Sequence, residues 1–196
     1  MIKNILLLVF LGGLIAKNNT VNTVLHFDIL HKNKVVGNLQ ATKTIEDGLT
    51  TYHSFTHIQA KILTTINVKY TYNVVFNNKE LNKADVSIML NNKVYAETST
   101  ERSNKEYKIT KNKKVSTFKE PITFTTVQLY FTEPLHITAC YSEQDAAMNT
   151  LVYLGNHKYK KVNAKGNENI YTYKNGVLYE ASIDGGLINF TMKIKD

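Results

Sequence analysis

Between Ile62 and Phe76 the chain alternates. Ile62, Ile66, Val68, Tyr70, Tyr72, Val74 and Phe76 share one parity, broken only by Thr64. The opposite parity, Leu63, Thr65, Asn67, Lys69, Thr71, Asn73 and Val75, is mostly polar. A period of two puts one set on a buried face and the other in water, as in an antiparallel strand. At roughly 3.3 Å per residue the segment runs about 45–50 Å, well past the usual strand of ~5–6 residues. Sheet twist accumulates over such a length and bends it. The expected product is a curved sheet or barrel whose concave side could hold a ligand.

The same alternation extends along the rest of the chain, punctuated by turn chemistry. Leu25, Phe27 and Ile29 lead to a turn at Asn33-Lys34, and Val35, Gly37, Leu39 and Ala41 return from it. Glu46-Asp47-Gly48, Asn77-Asn78, Asn91-Asn92 and Asp184-Gly185-Gly186 mark further turns, since Asn, Asp and Gly tolerate positive φ. Asn175-Gly176 is the strongest hairpin signal, with Tyr171 and Tyr173 before it and Val177, Tyr179, Ala181 and Ile183 after it. This spacing predicts an all-β antiparallel meander of about ten strands, curled into a barrel or half-barrel. Two stretches read as short helices: Thr125 to Glu133, and Ser142 to Thr150, where Ser142 and Asp145 imitate a capping box. No linker or repeat divides the chain, so residues 17–196 are expected to form one domain.

Residues 1–16 have the form of a secretory leader: Lys3 precedes the apolar run Ile5 to Ala16. That run is too short to span ~30 Å of hydrocarbon comfortably. No later segment is apolar enough to cross, so a periplasmic or secreted protein with no membrane anchor after cleavage is expected. The single cysteine, Cys140, excludes an internal disulfide. The formal charge is +8, or +7 without Lys3, but the lysines are dispersed and their densest group, Lys111, Lys113 and Lys114, sits in a turn. No Arg-rich helix or aromatic–basic module suggests a nucleic-acid partner.

Catalytic chemistry is thinly supplied. His53 and His57 are four residues apart, but on a strand that separates them by ~13 Å, too far to share a zinc ion. Cys140 and His136 imitate a nucleophile pair, and Glu97, Glu101, Glu133, Glu143 and Asp145 offer carboxylates, with no spacing that singles out two of them. Neither a phosphate-binding glycine loop nor a nucleophile elbow is present. The expectation is a non-enzymatic protein without cofactor or metal. A hydrolase using Cys140 or a carboxylate pair is one alternative. Another is a structural or envelope-interaction protein with a filled core. Twelve tyrosines and eight phenylalanines with no tryptophan suit strands, and tyrosine presents an apolar ring with a polar tip. Val68, Tyr70 and Tyr72 are therefore the expected ligand-binding residues, facing a lipid-like or amphipathic ligand.

The segments His31 to Gly37, Tyr70 to Leu81, Thr123 to Pro134 and Asn169 to Glu180 occur in an order that resembles a domain-of-unknown-function family of exported Bacteroidota proteins. The likeness runs from about Thr23 onward and rests on turns and strand ends. It implies a lipoprotein-carrier-like or lipocalin-like β-barrel and brings no site residue with it.

Overall fold

Turns whose two central residues both take positive φ match the right-handed twist of the strands they join, and this chain uses them repeatedly. Lys32-Asn33, Asp47-Gly48, Asn78-Lys79, Asn91-Asn92, Asn112-Lys113, Asn156-His157 and Asn175-Gly176 are all of this kind. The first and third lie one residue away from the expected positions, because the closing pairs are His31 with Lys34 and Asn77 with Glu80. The computed structural model describes residues 20–61, 65–185 and 188–195. The proposed leader therefore lies outside the described residues, as do Ile62 and Gly186.

The first eight strands are β1 (Val21–His31), β2 (Lys34–Glu46), β3 (Leu49–Lys61), β4 (Thr65–Asn77), β5 (Glu80–Leu90), β6 (Lys93–Ser103), β7 (Glu106–Lys111) and β8 (Lys114–Phe118). A long connection carrying one 3-10 turn, Thr126–Tyr130, leads to the second series. That series comprises β9 (Ala139–Ser142), β10 (Ala147–Gly155), β11 (Lys158–Val162), β12 (Glu168–Lys174), β13 (Val177–Asp184) and β14 (Asn189–Ile194). All belong to one 14-stranded sheet, with β8 and β9 at its two edges and β1 paired to β14 in the middle. Every named strand pair is antiparallel.

The long alternating segment behaves as its parity demands. β3 and β4 pair along their whole length, from Leu49 opposite Asn77 to Lys61 opposite Thr65. On β4 the even residues Val68, Tyr70, Val74 and Phe76 are buried, while Ile66 and Tyr72 are half-buried. Their neighbours Tyr52, Ser54, Thr56, Ile58 and Ala60 share that parity and are buried too. Since a sheet's faces alternate with every residue, this fixes one concave inner surface across both strands.

Extra residues inserted near several hairpin ends bend the sheet. Register shifts fall between Ile29 and Leu30, Val75 and Phe76, Ile88 and Met89, Tyr153 and Gly155, and Thr172 and Tyr173. Each bulge raises local twist and curls its strand. The two ends of the sheet meet without pairing. Thr100 Oγ1 on β6 bonds the Tyr141 hydroxyl on β9 at 2.8 Å, and Lys111 Nζ on β7 donates to the Asp145 carbonyl at 2.8 Å. The result is an unclosed, barrel-like coil.

Two expectations need correction. The strand count is fourteen rather than about ten, and the stretch after Ser142 is a turn leading into β10, not a helix. Ser142 Oγ does accept from the Asp145 N–H at 3.1 Å, but that bond closes the turn between β9 and β10, with Ala146 at φ 57°. The capping-box pattern satisfied a hairpin turn, since a hydroxyl three residues upstream serves either geometry. Thr125 to Glu133 contributes only the 3-10 turn, held at its start by Gln128 Oε1 accepting from the Thr125 N–H at 2.8 Å.

Gly37 sits where β2 crosses β3 opposite Ile58, and a Cβ there would run into the carbonyl oxygen of His57. Gly48, by contrast, has φ +79° and open space around it. Gly37→Ala is therefore expected to cost about 3 kcal/mol by overpacking, and Gly48→Ala only about 1 kcal/mol by strain, as read by urea denaturation.

Candidate functional site

A single-layer sheet must cover its own inner face. Here the connection from β8 to β9 does so by folding inside the coil. Ile122, Val127 and Leu129 of that segment are buried, and Tyr130 and Phe131 pack against both apolar clusters of the core. Its polar groups are answered from the walls. The Leu81 N–H donates to the Ile122 carbonyl at 2.8 Å, and the Tyr173 hydroxyl to the Leu129 carbonyl at 2.9 Å.

Two buried glutamates finish the job. Glu143 accepts from the N–H groups of Thr126 and Val127 at 3.2 and 3.0 Å, capping the 3-10 turn. Burial pushes its carboxyl above the ordinary glutamate range, although those hydrogen bonds pull the other way. Glu133 accepts from the Tyr159 hydroxyl at 2.9 Å and lies 3.0 Å from His157 Nδ1. Both carboxylates thus hold the inner segment in place.

The segment does not fill the coil. A cavity of about 280 Å³ remains between the concave wall, the β9–β10 turn and the loop after β11. Leu39, Tyr70, Tyr72, Ile183, Phe190 and Met192 form its apolar wall, with Tyr130 and Tyr171 beside them. Lys161, Asn163, Lys165, Asn167 and Asn169, from β11, β12 and the loop between them, bring polar groups to it. Tyr95, the extra residue of the β5–β6 bulge, also reaches the cavity.

Burial holds the cavity phenols protonated. Tyr70 is pushed up to about 12, with the neighbouring Tyr95 adding to the effect, and burial raises Tyr72, Tyr130 and Tyr171 as well. They are hydrogen-bond donors at ordinary pH. The Tyr72 hydroxyl donates to Gln144 Oε1 at 3.0 Å, whereas the Tyr70 hydroxyl is buried with no partner among the described residues.

Of the expected ligand-binding residues, Tyr70 and Tyr72 line the cavity, while Val68 is fully buried in the core. Lys161 was not foreseen. It belongs to a lysine-rich stretch that reads as solvated, and only its shared parity with Tyr159 marks it as inward-facing.

The catalytic candidates do not converge. Cys140 is buried, and desolvation pushes its thiol up to about 11. His136 is exposed in a turn at φ 62°, and the strand that carries Cys140 begins at Ala139. His53 and His57 lie on the outer parity of β3, and His53 Nδ1 lies 2.7 Å from Asn73 Oδ1. Glu97 and Glu101 are exposed on β6, and Asp145 is engaged by the Ser142 hydroxyl and by Lys111. Among the described residues no group of three or more His, Cys, Asp or Glu side chains could hold a metal ion. No helix among them is long and apolar enough to cross a membrane.

The match of a family model to residues 27–195 covers nearly the whole sheet. The chain belongs to the DUF6134 family. That family is described as a domain of unknown function. This chain is also similar to a solved beta-barrel-like protein of the domain of unknown function DUF1849 from Brucella abortus. The identity is 10% and the TM-score 0.49, covering 89% of this chain and 95% of that one. No curated protein matches the chain.

Two measurements check this geometry. Cys140 should resist Ellman's reagent at about pH 8 in the native protein and react on unfolding, since a thiol without thiolate character is inert. Glu143 has a raised folded-state pKa, so the folded state binds more protons than the unfolded chain above about pH 4.5. The stability advantage of the parent over Glu143→Gln is therefore expected to shrink as pH rises from that point. Urea titrations at a series of pH values read this directly.

Proposed function

We propose that this protein is an exported, non-enzymatic carrier that holds an amphipathic, lipid-like ligand against the concave face of its sheet. The observation that carries this reading is the cavity, which joins apolar side chains and tyrosines to a polar group around Lys161 and Asn163 and is left open by a segment that covers the rest of the inner face. At about 280 Å³ it lies just below the roughly 300–1,000 Å³ of small-molecule sites, so it suits a small ligand or a single chain. The leader-like pattern of residues 1–16 supports a periplasmic or secreted location. In this reading the coil works as a lipocalin-like or lipoprotein-carrier-like container.

A second reading has one observation in its favour. The inner segment joins both apolar clusters, as the core of a purely structural envelope protein would require. On that reading the cavity is incidental.

Native mass spectrometry with lipid extraction, and titration with a dansyl-labelled amphiphile, separate the two. A co-purifying amphiphile or saturable probe binding is expected. Ile183→Trp, which places a larger ring at the cavity wall, should weaken the probe by about tenfold or more with the far-ultraviolet dichroism unchanged. Unaltered binding in that variant, or no binding in the parent, favours the structural reading.

A further inference from the structure

Among the described residues Lys161 is the only buried lysine or arginine, at 7% exposure. Its strand explains why. On β11, Lys158 and Lys160 face outward, the latter bonded to Glu168 at 2.7 Å, while Tyr159 and Lys161 face the interior. Lysine is almost never so buried unless paired, because its ammonium loses hydration. Yet among the described residues no hydrogen bond or ion pair reaches Lys161. It lines the cavity instead.

The carboxylates nearby are committed elsewhere. Glu143 is close enough for its charge to act on Lys161, but its oxygens face the N–H groups of Thr126 and Val127. Asp145 and Asp184 line the same cavity, Asp145 held by Ser142 and Lys111, and neither forms an ion pair with Lys161 among the described residues. The Tyr70 hydroxyl on the same cavity is a buried donor with no acceptor among the described residues. The Lys161 ammonium and the Tyr70 hydroxyl share a space lined by apolar Leu39, Phe190 and Met192 and by the polar Asn163, Lys165 and Asn167.

We propose that Lys161 anchors the head of a singly anionic amphiphile, a carboxylate carried on an alkyl chain, with the chain lying along the Leu39, Phe190 and Met192 wall. The proposal rests on the cavity-binding reading and adds the charge of the ligand. A carboxylate supplies the missing acceptor through a charge-assisted hydrogen bond, and a neutral head of the same length does not supply the charge. The apolar wall favours a head with a chain over a free anion.

The test uses the full chain and two probes of equal length, dansylaminoundecanoic acid and the corresponding dansylaminoundecanol. The acid should bind at least about tenfold tighter; Lys161→Met should erase that preference, leaving the alcohol within about twofold, and Lys161→Arg should retain it. Millimolar inorganic phosphate should leave the bound acid in place. Equal affinity for both probes in the parent, or undiminished acid binding in a folded Lys161→Met protein, overturns the anionic head and leaves cavity binding standing. Displacement by phosphate alone overturns the amphiphile in favour of a free anion. If neither probe binds, the cavity reading falls and this proposal falls with it.

Discussion

A sheet with no second layer has nowhere to bury its apolar face except against itself, and that constraint governs this molecule. Curling brings the inner parities of the strands towards one another. The gap that remains is closed by the β8–β9 connection, which must then be threaded through an apolar interior. A backbone placed there carries polar groups that cost about 1–3 kcal/mol each if left unpaired. The buried carboxylates of Glu143 and Glu133, the Tyr173 hydroxyl and the Leu81 N–H answer part of that demand. Without these polar ties the inner segment could not lie where the two apolar clusters require it.

The same tethering shapes the cavity. Glu143 fixes the 3-10 turn from the β9–β10 corner, and Gln144 beside it receives the Tyr72 hydroxyl across the coil. The Thr98 hydroxyl donates to the Gln144 carbonyl at 3.0 Å from the far side. One short corner therefore holds the plug, spans the two ends of the sheet and forms a wall of the open space. The bulges contribute as well: the extra residue between Ile88 and Met89's partners leaves Tyr95 directed at the cavity rather than in a strict alternation.

Much of the fold was legible along the chain. The period of two on β4, the Asn175-Gly176 and Asn91-Asn92 turns and the alternation of β14 all describe local choices that the final sheet keeps, whereas on β13 the bulge beside Tyr173 buries Leu178 instead of Tyr179. The misreadings have local causes too. Ser142 and Asp145 make the same hydroxyl-to-backbone bond whether a helix or a hairpin follows, so the pattern by itself cannot choose. The Thr125 to Glu133 stretch has residues enough for one turn but ends before Pro134, and tertiary ties stop it as a 3-10 turn. The site was half legible: Tyr70 and Tyr72 face the cavity by parity alone, but Val68 shares that parity and is covered by the core.

The sequence by itself determined which side of each strand is apolar and where the chain reverses, because side-chain parity and positive-φ turns act over a few residues. Only the tertiary structure decided that the sheet stops short of closure, that the β8–β9 segment enters it, and that Lys161 is buried beside an open space. Those outcomes depend on which residues distant in sequence meet inside the coil, as Thr100 meets Tyr141 and Val127 meets Glu143. A lysine on a strand is solvated or buried according to what lies opposite it, and no local pattern carries that information.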